Sequence, residues 1–196
     1  MPDTTRLSRL QANWVYGGSL AGLLILALLP LFWSGWTTAW TLTFLTLPAY
    51  MLHQYEEHDD DRFRQFVNAV IGRGREVLTL ADVFFINIVG VWVVLAATFW
   101  IVHLAGPETG PGWGLIAAWL ILVNALAHIG QGLALRRYNP GLWTAILLFL
   151  PLGLLTLRAL APLASTTQQV VSLALAIAIH ALIIARVRAA LRSGPR

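Results

Sequence analysis

The chain has no cysteine and no lysine, and only 11% of its 196 residues are charged. Without cysteine there is no disulfide, no thiolate catalysis and no cysteine-ligated zinc, and the redox compartment is left unconstrained. A soluble domain carries about 25% charged residues. A chain with so few cannot cover itself in water. Hydrophobic residues supply 58% of the sequence, and the mean hydropathy is +0.70. The lipid bilayer is therefore the expected solvent. The thirteen basic residues are all arginine and the formal net charge is +4. No basic surface separates from the charge that flanks membrane segments, so nucleic acid is not an expected partner.

A membrane-crossing helix needs about 20 apolar residues. Six stretches qualify, at roughly 14–33, 36–55, 83–105, 113–135, 141–157 and 170–190, with a polar loop at about 56–81. Together they predict one all-α, polytopic transmembrane bundle over residues 1–196. Arg6 and Arg9 resemble the start of a signal peptide. The apolar run that follows is too long and lacks a clear small-residue cleavage site, so it reads as a retained span. With both termini placed in the cytoplasm, twelve arginines fall inside, Arg196 among them, and only Arg158 falls outside. Such a bias predicts both the orientation and a multi-pass place in the inner, cytoplasmic membrane of a cell. Tryptophans 14, 33, 36, 100, 113 and 143 sit near span ends, as interfacial anchors do. "WSGW" (33–36) and "AGPETGPG" (105–112) read as outer turns, and "RRYNPG" (136–141) as a tight inner turn. In the inner loop Phe63, Phe66, Val67 and Val70 recur at helical spacing. That stretch reads equally as an interfacial helix or as an ordinary loop helix. Gly18 and Gly22 offer a small-residue helix contact.

Ionisable and amide side chains inside spans are costly and usually face the bundle interior. Here they are few: His53, Glu56 and Glu57 on the second span, Asn87 on the third, Asn124, His128 and Gln131 on the fourth, His180 on the sixth. At 1.5 Å of rise per residue, His128 lies roughly 12 Å above Arg136 and His180 roughly 9 Å above Arg186. His53 and Asn87 lie about one helical turn from their own inner ends. Four helices thus place polar groups in one slab near the cytoplasmic face. His53 and Glu57 are four residues apart, and so are Asn124 and His128, so each pair shares a helix face. Two imidazoles and a carboxylate can hold a divalent ion and leave a position for water.

The expected metal ligands are therefore His53, Glu57 and His128, with His180 as a further candidate, and zinc or iron as the ion. Glu56 is expected to activate water, and Asn87 or Asn124 to stabilise a developing oxyanion. Pro48 frees the carbonyl of Phe44 and is expected to kink the helix, widening a pocket just above the motif. Simpler readings stand beside these. Asn124 with His128 can be a packing pair, and His180 a satisfied structural histidine. His58 with Asp59–Asp61 reads as a solvated helix end. His103 reads as interfacial, and Gln131 and Asp82 as structural or supporting.

At "HQYEE" (53–57) the sequence resembles the HXXEE-domain family of integral membrane proteins, named for this motif and without an assigned function. "NALAH" (124–128) and "YNPG" (138–141) also resemble the family's pattern, and the likeness extends over about residues 36–160. It implies a membrane protein and supplies no reaction. An analogy of site chemistry also exists with CAAX-type intramembrane proteases, whose pattern is EExxxR followed by helix-borne histidines and asparagine. Here Asp61 stands where that pattern has arginine, and the Asn124–His128 order is reversed. The expected function is a metal- or Glu/His-dependent hydrolase or transferase acting on a lipid or other membrane-borne substrate. A proton- or cation-coupled permease, or a non-catalytic accessory protein, is the alternative. The sequence does not specify an oligomeric state.

Overall fold

The computed structural model describes residues 5–193, and among these there is no β-strand. The protein is an all-α bundle. Its elements are α1 (Arg6–Leu31), α2 (Thr38–His58), the short α3 (Arg62–Phe66), α4 (Leu80–Leu104), α5 (Gly106–Leu135), α6 (Leu142–Leu163) and α7 (Thr166–Arg192). All but α2 and α3 are long and apolar enough to cross a membrane, which makes five such helices. Arg196, counted above on the inner side, lies outside the described residues.

Helix α2 is long enough to span at 21 residues, yet it is not among the five apolar helices. Its position gives the reason. It packs against α1, α4, α5 and α6, so its polar side chains meet protein instead of lipid. Helix α5 is the second central element: 61% of its apolar window is buried, against 17% for α7, which packs on α5 from outside. Tyr50, Leu95, Leu120, Ile121 and Phe149 fill the core between α2, α4, α5 and α6. Gly18 and Gly22 do form a close helix contact. A methyl group on Gly18 would stand 2.8 Å from the Trp92 ring, and one on Gly22 2.9 Å from Cβ of Met51.

Residues 106–113 and Trp14 differ from the sequence reading, and the inner loop carries the helix expected of it. Residues 106–113 are helical, although they were expected to turn. Gly106 adopts φ +77 and ends α4, and Pro107 then sits in the first turn of α5, where its missing N–H costs nothing. The inner loop is ordered. Oδ1 of Asn68 accepts from the backbone N–H groups of Val77 and Leu78, both at 2.9 Å, and its Nδ2 donates to the Leu78 carbonyl. The Arg75 guanidinium caps the end of α7 by donating to the carbonyls of Ala190 and Leu191. Trp14, expected at the membrane surface, is buried and touches His58 and Trp92, with ring centroids at 5.3 and 5.9 Å. Trp33, Trp100 and Trp143 are exposed, as anchors would be.

The ends of α2, α5 and α7 and the starts of α4 and α6 meet at one end of the bundle, under α3. Asp82, in a capping box with Thr79, starts α4 and pairs with Arg186 of α7 at 3.0 Å. Arg137 stacks over Phe66.

Candidate functional site

The last two turns of α2 place His53 and Glu57 on one buried face. The α5 helix brings His128 to meet them. The His53 and His128 ring centroids are 5.0 Å apart, nearly perpendicular, and both residues are buried. The Glu57 carboxylate lies between the imidazoles. Its Oε2 is 3.6 Å from Nε2 of His53, and its Oε1 is 3.4 Å from Nε2 of His128. One ligand atom from each of the three residues falls within 4.8 Å of the others.

The outward nitrogens of both rings are fixed by partners that leave no choice of tautomer for a neutral ring. Nδ1 of His53 is 2.7 Å from Oγ1 of Thr144. That hydroxyl gives its own proton to Glu56 Oε2 at 2.6 Å, so it accepts from His53. Nδ1 of His128 is 2.7 Å from Oδ1 of Asn139, whose Nδ2 donates to the His128 carbonyl at 2.9 Å. The amide orientation assigned by that second bond makes His128 Nδ1 the donor. In neutral rings both Nε2 atoms are therefore lone pairs, and both face a carboxylate. Nε2 of His53 is buried without any hydrogen-bond partner.

Glu56, one residue from Glu57, points the other way. Its Oε1 accepts from the Tyr138 hydroxyl at 2.8 Å and the Trp143 N–H at 3.1 Å. Its Oε2 accepts from the Thr144 N–H at 2.7 Å as well as from the Thr144 hydroxyl. It thus caps the first turn of α6 from another helix, where a negative charge is favoured. Burial pushes the Tyr138 phenol up to about 12, and the bond to Glu56 and its charge add to the rise, so the phenol remains a donor. The expected water-activating role does not match this geometry. Glu56 is committed to four donors and reaches the centre only through Thr144 and His53.

The "YNPG" turn is built into the same site. Tyr138 holds Glu56 and Asn139 holds His128. Gly141 lies against both rings: it has φ +94, and a Cβ there would stand 2.7 Å from Cε1 of His128 and 2.9 Å from Cε1 of His53. Only glycine meets both demands.

A sequence profile for a family described as "Protein of unknown function with HXXEE motif" matches residues 44–156. The chain belongs to this family. In the HXXEE motif of this chain the three named residues do different work: His53 and Glu57 converge on His128, and Glu56 turns outward to hold the start of α6. No curated protein and no solved structure matched the chain.

Beside the three converging residues is a cavity of about 390 Å³, walled mostly by apolar side chains and by Glu57, His128, Asn87, Asn124 and His180. Asn87 has no group to spare for an oxyanion. Its Oδ1 accepts from Gln54 at 2.8 Å, and its Nδ2 donates to the Val83 carbonyl and faces Nε2 of His58 at 3.1 Å. Gln54 is held in turn by the Trp92 indole. Asn124 differs, since its Oδ1 is buried and unpaired. His180 stands apart from the convergent group. It is on the outer helix α7, and its Nδ1 donates to its own helix at the Ala176 carbonyl.

The sequence reading missed four participants. His58, expected in water, is buried with Nε2 3.0 Å from Glu57 Oε2, between the Trp14 and Phe63 rings. Phe63 belongs to α3, whose apolar face covers the site; its ring also lies 6.3 Å from that of His128. Thr144 carries no signal in the sequence. Asn139 was visible only as a letter of "YNPG".

Proposed function

We propose that this protein is an intramembrane metal-dependent enzyme, a hydrolase or transferase, in which His53, Glu57 and His128 hold a divalent ion. The spacing of acceptors carries the reading. Two imidazole lone pairs and a carboxylate facing each other in a buried site favour a positive charge between them, although His58 Nε2 also stands 3.0 Å from Glu57 Oε2. A shared proton would draw N and O to about 2.7–2.9 Å. The separations from Glu57 are 3.4 Å to His128 and 3.6 Å to His53, against 3.0 Å to His58, which lies outside the convergent group. The first two distances run to different oxygens of Glu57, and one ligand atom from each residue lies within 4.8 Å of the others, a span that an ion with bonds of about 2.0–2.1 Å can close with small side-chain adjustments. The bonds to Thr144 and Asn139 are of the kind that orient metal-bound histidines. Two imidazoles and one carboxylate suit zinc or iron(II) and leave a position open for water or substrate. A bound ion would supply Lewis acidity and a lowered pKa for its water. The protein's own residues orient the two rings, exclude bulk solvent and offer a cavity beside Glu57 and His128. The substrate is membrane-borne and reacts near the cytoplasmic leaflet.

A permease would require polar groups across the whole bundle. Among the described residues, the buried polar side chains beyond this end are Thr43, Thr46, Thr98, Thr156, Gln168 and Ser172, and none of them ionises.

Elemental analysis of purified protein tests the metal. Wild type should retain zinc or iron stoichiometrically, and His53→Ala and His128→Ala should lose it. Metal-free wild type, or full metal in both variants, would reject the site. Turnover is tested by incubating metal-loaded protein with a total membrane extract and following its components by mass spectrometry. A change blocked by chelator and absent in His128→Ala is expected. No such change would leave a metal-binding membrane protein that is not an enzyme on those components.

A further inference from the structure

We infer that the cavity beside the triad binds one long apolar chain of a bilayer lipid, whose polar end presents an O–H or N–H donor to Asn124, and that the chain arrives sideways between α4 and α7. The inference deepens the reading above and rests on it for the reacting centre. Three observations carry it.

First, the cavity is apolar over most of its wall, and Glu57, Asn124 and His128 are among its polar lining residues. Its volume of about 390 Å³ is within the usual range for a small-molecule site. Second, its wall holds an unfilled acceptor. Oδ1 of Asn124 is buried without a hydrogen-bond partner, and Asn124 lines the cavity together with Tyr50, Glu57 and His128. A buried acceptor left unpaired is costly, so a ligand that donates to it gains an advantage over one that does not. An alkane or a group that only accepts hydrogen bonds would leave the cost in place. Third, the cavity adjoins a surface groove of about 480 Å³ between α4 and α7, and both are lined by Ile86, Ile179 and Ile183. Phe85, Val89 and Leu182 on the groove are exposed apolar side chains. In a bilayer they meet acyl chains. Gly90 leaves room there, since a Cβ on it would have only Ile179 nearby, at 3.8 Å. A thin wall of isoleucine side chains thus separates lipid from the interior. Rotamer changes in exposed and half-buried side chains are fast.

The test uses full-length protein in lipid nanodiscs and a hexadecanol carrying a photoactivatable diazirine at mid-chain. Peptide mass spectrometry maps the adducts. Labelling is expected around Tyr50, Asn124 and residues 179–184. Excess hexadecanol or hexadecanamide should compete, and hexadecane should not. Asn124→Leu should reduce the preference for the alcohol over the alkane about fivefold, the value of one ordinary hydrogen bond. Ile183→Trp should suppress cavity labelling while the exposed groove residues still label. Metal content is measured on every sample and reports folding of the centre. Equal competition by hexadecane, adducts confined to Phe85, Val89 and Leu182, or an unchanged preference in Asn124→Leu would each overturn the inference. Cavity labelling without metal would sink the metal reading alone, and full metal without cavity labelling would sink this inference alone.

Discussion

At the scale of single residues, the chain from Glu56 through Thr144 to His53 links the two glutamates of one motif to different tasks. Thr144 is the narrow point, because one hydroxyl both donates to Glu56 and accepts from His53. Replacing it by valine preserves shape and the backbone bond to Glu56 but removes the acceptor for His53 Nδ1. Metal affinity should fall about 10–100-fold in Thr144→Val, as it does when such outer partners are lost, and recover in Thr144→Ser. Competition against a chelator of known affinity measures it. Wild-type affinity in the valine variant would show that His53 needs no such orientation. This scale also shows what the sequence carries. His53, Glu57 and His128 were legible because ionisable groups in an apolar chain stand out, and because the four-residue interval places His53 and Glu57 on one helix face. Thr144 was not. A neutral hydroxyl near a helix start is ordinary, and its importance arises only when α6 folds back on α2. His58 was misread because it stands beside three aspartates, and only the fold shows that the chain reverses just after it.

At the scale of elements, that reversal is made by Asp60 and Asp61, which adopt φ 53 and 58 in succession. The turn sends α3 back across the site, and Phe63 reaches the His58 and His128 rings. The acids on either side of Asp60 are used locally: Asp59 pairs with Arg62 at 2.9 Å, and Asp61 pairs with Arg64. Both hydrogen bonds at residue 60 use its backbone, one from its N–H to the Tyr16 hydroxyl and one from Gln65 to its carbonyl. Substitution there therefore isolates the conformational cost. Asp60→Gly should leave stability unchanged or slightly raised. Asp60→Val should lower it by about 1–2 kcal/mol, because a branched side chain is poorly tolerated in this region. Thermal unfolding in detergent compares the two, and equal midpoints would mean that the turn is not held left-handed in solution. The helices themselves were largely legible from apolar run length. Two exceptions have clear causes. "GPETGPGW" (106–113) is rich in residues that break helices, yet proline in a first turn begins one. The periodicity at 62–71 correctly marked an apolar face but not its direction, since a face built for lipid and a face built for a protein lid have the same pattern.

At the scale of the whole molecule, the centre is placed near one end of the bundle, and which side of the membrane that end faces decides where water and products exchange. The arginines argue for the cytoplasm. Arg62, Arg64, Arg73, Arg75, Arg136, Arg137 and Arg186 lie on the segments that meet beneath the site, whereas Arg158 lies near the opposite end of α6. Positively charged short loops are retained on the cytoplasmic side during insertion. The absence of cysteine allows a direct test, because any introduced thiol is the sole target for a maleimide. Ser34 and Glu108 are exposed at one end, Gln65 and Arg73 at the other. In intact cells stripped of any outer barrier, Ser34→Cys and Glu108→Cys should react with a membrane-impermeant maleimide. Gln65→Cys and Arg73→Cys should react only after permeabilisation. The reverse pattern would place the end carrying His53, Glu57 and His128 outside and remove the cytoplasmic leaflet from the proposed reaction. Labelling of all four in intact cells would deny that the bundle spans at all. Because α2 is the least apolar of the long helices, the pair Ser34 and Gln65 is the decisive one. They flank α2, so opposite accessibility at these two positions requires that the helix carrying His53 and Glu57 crosses the membrane.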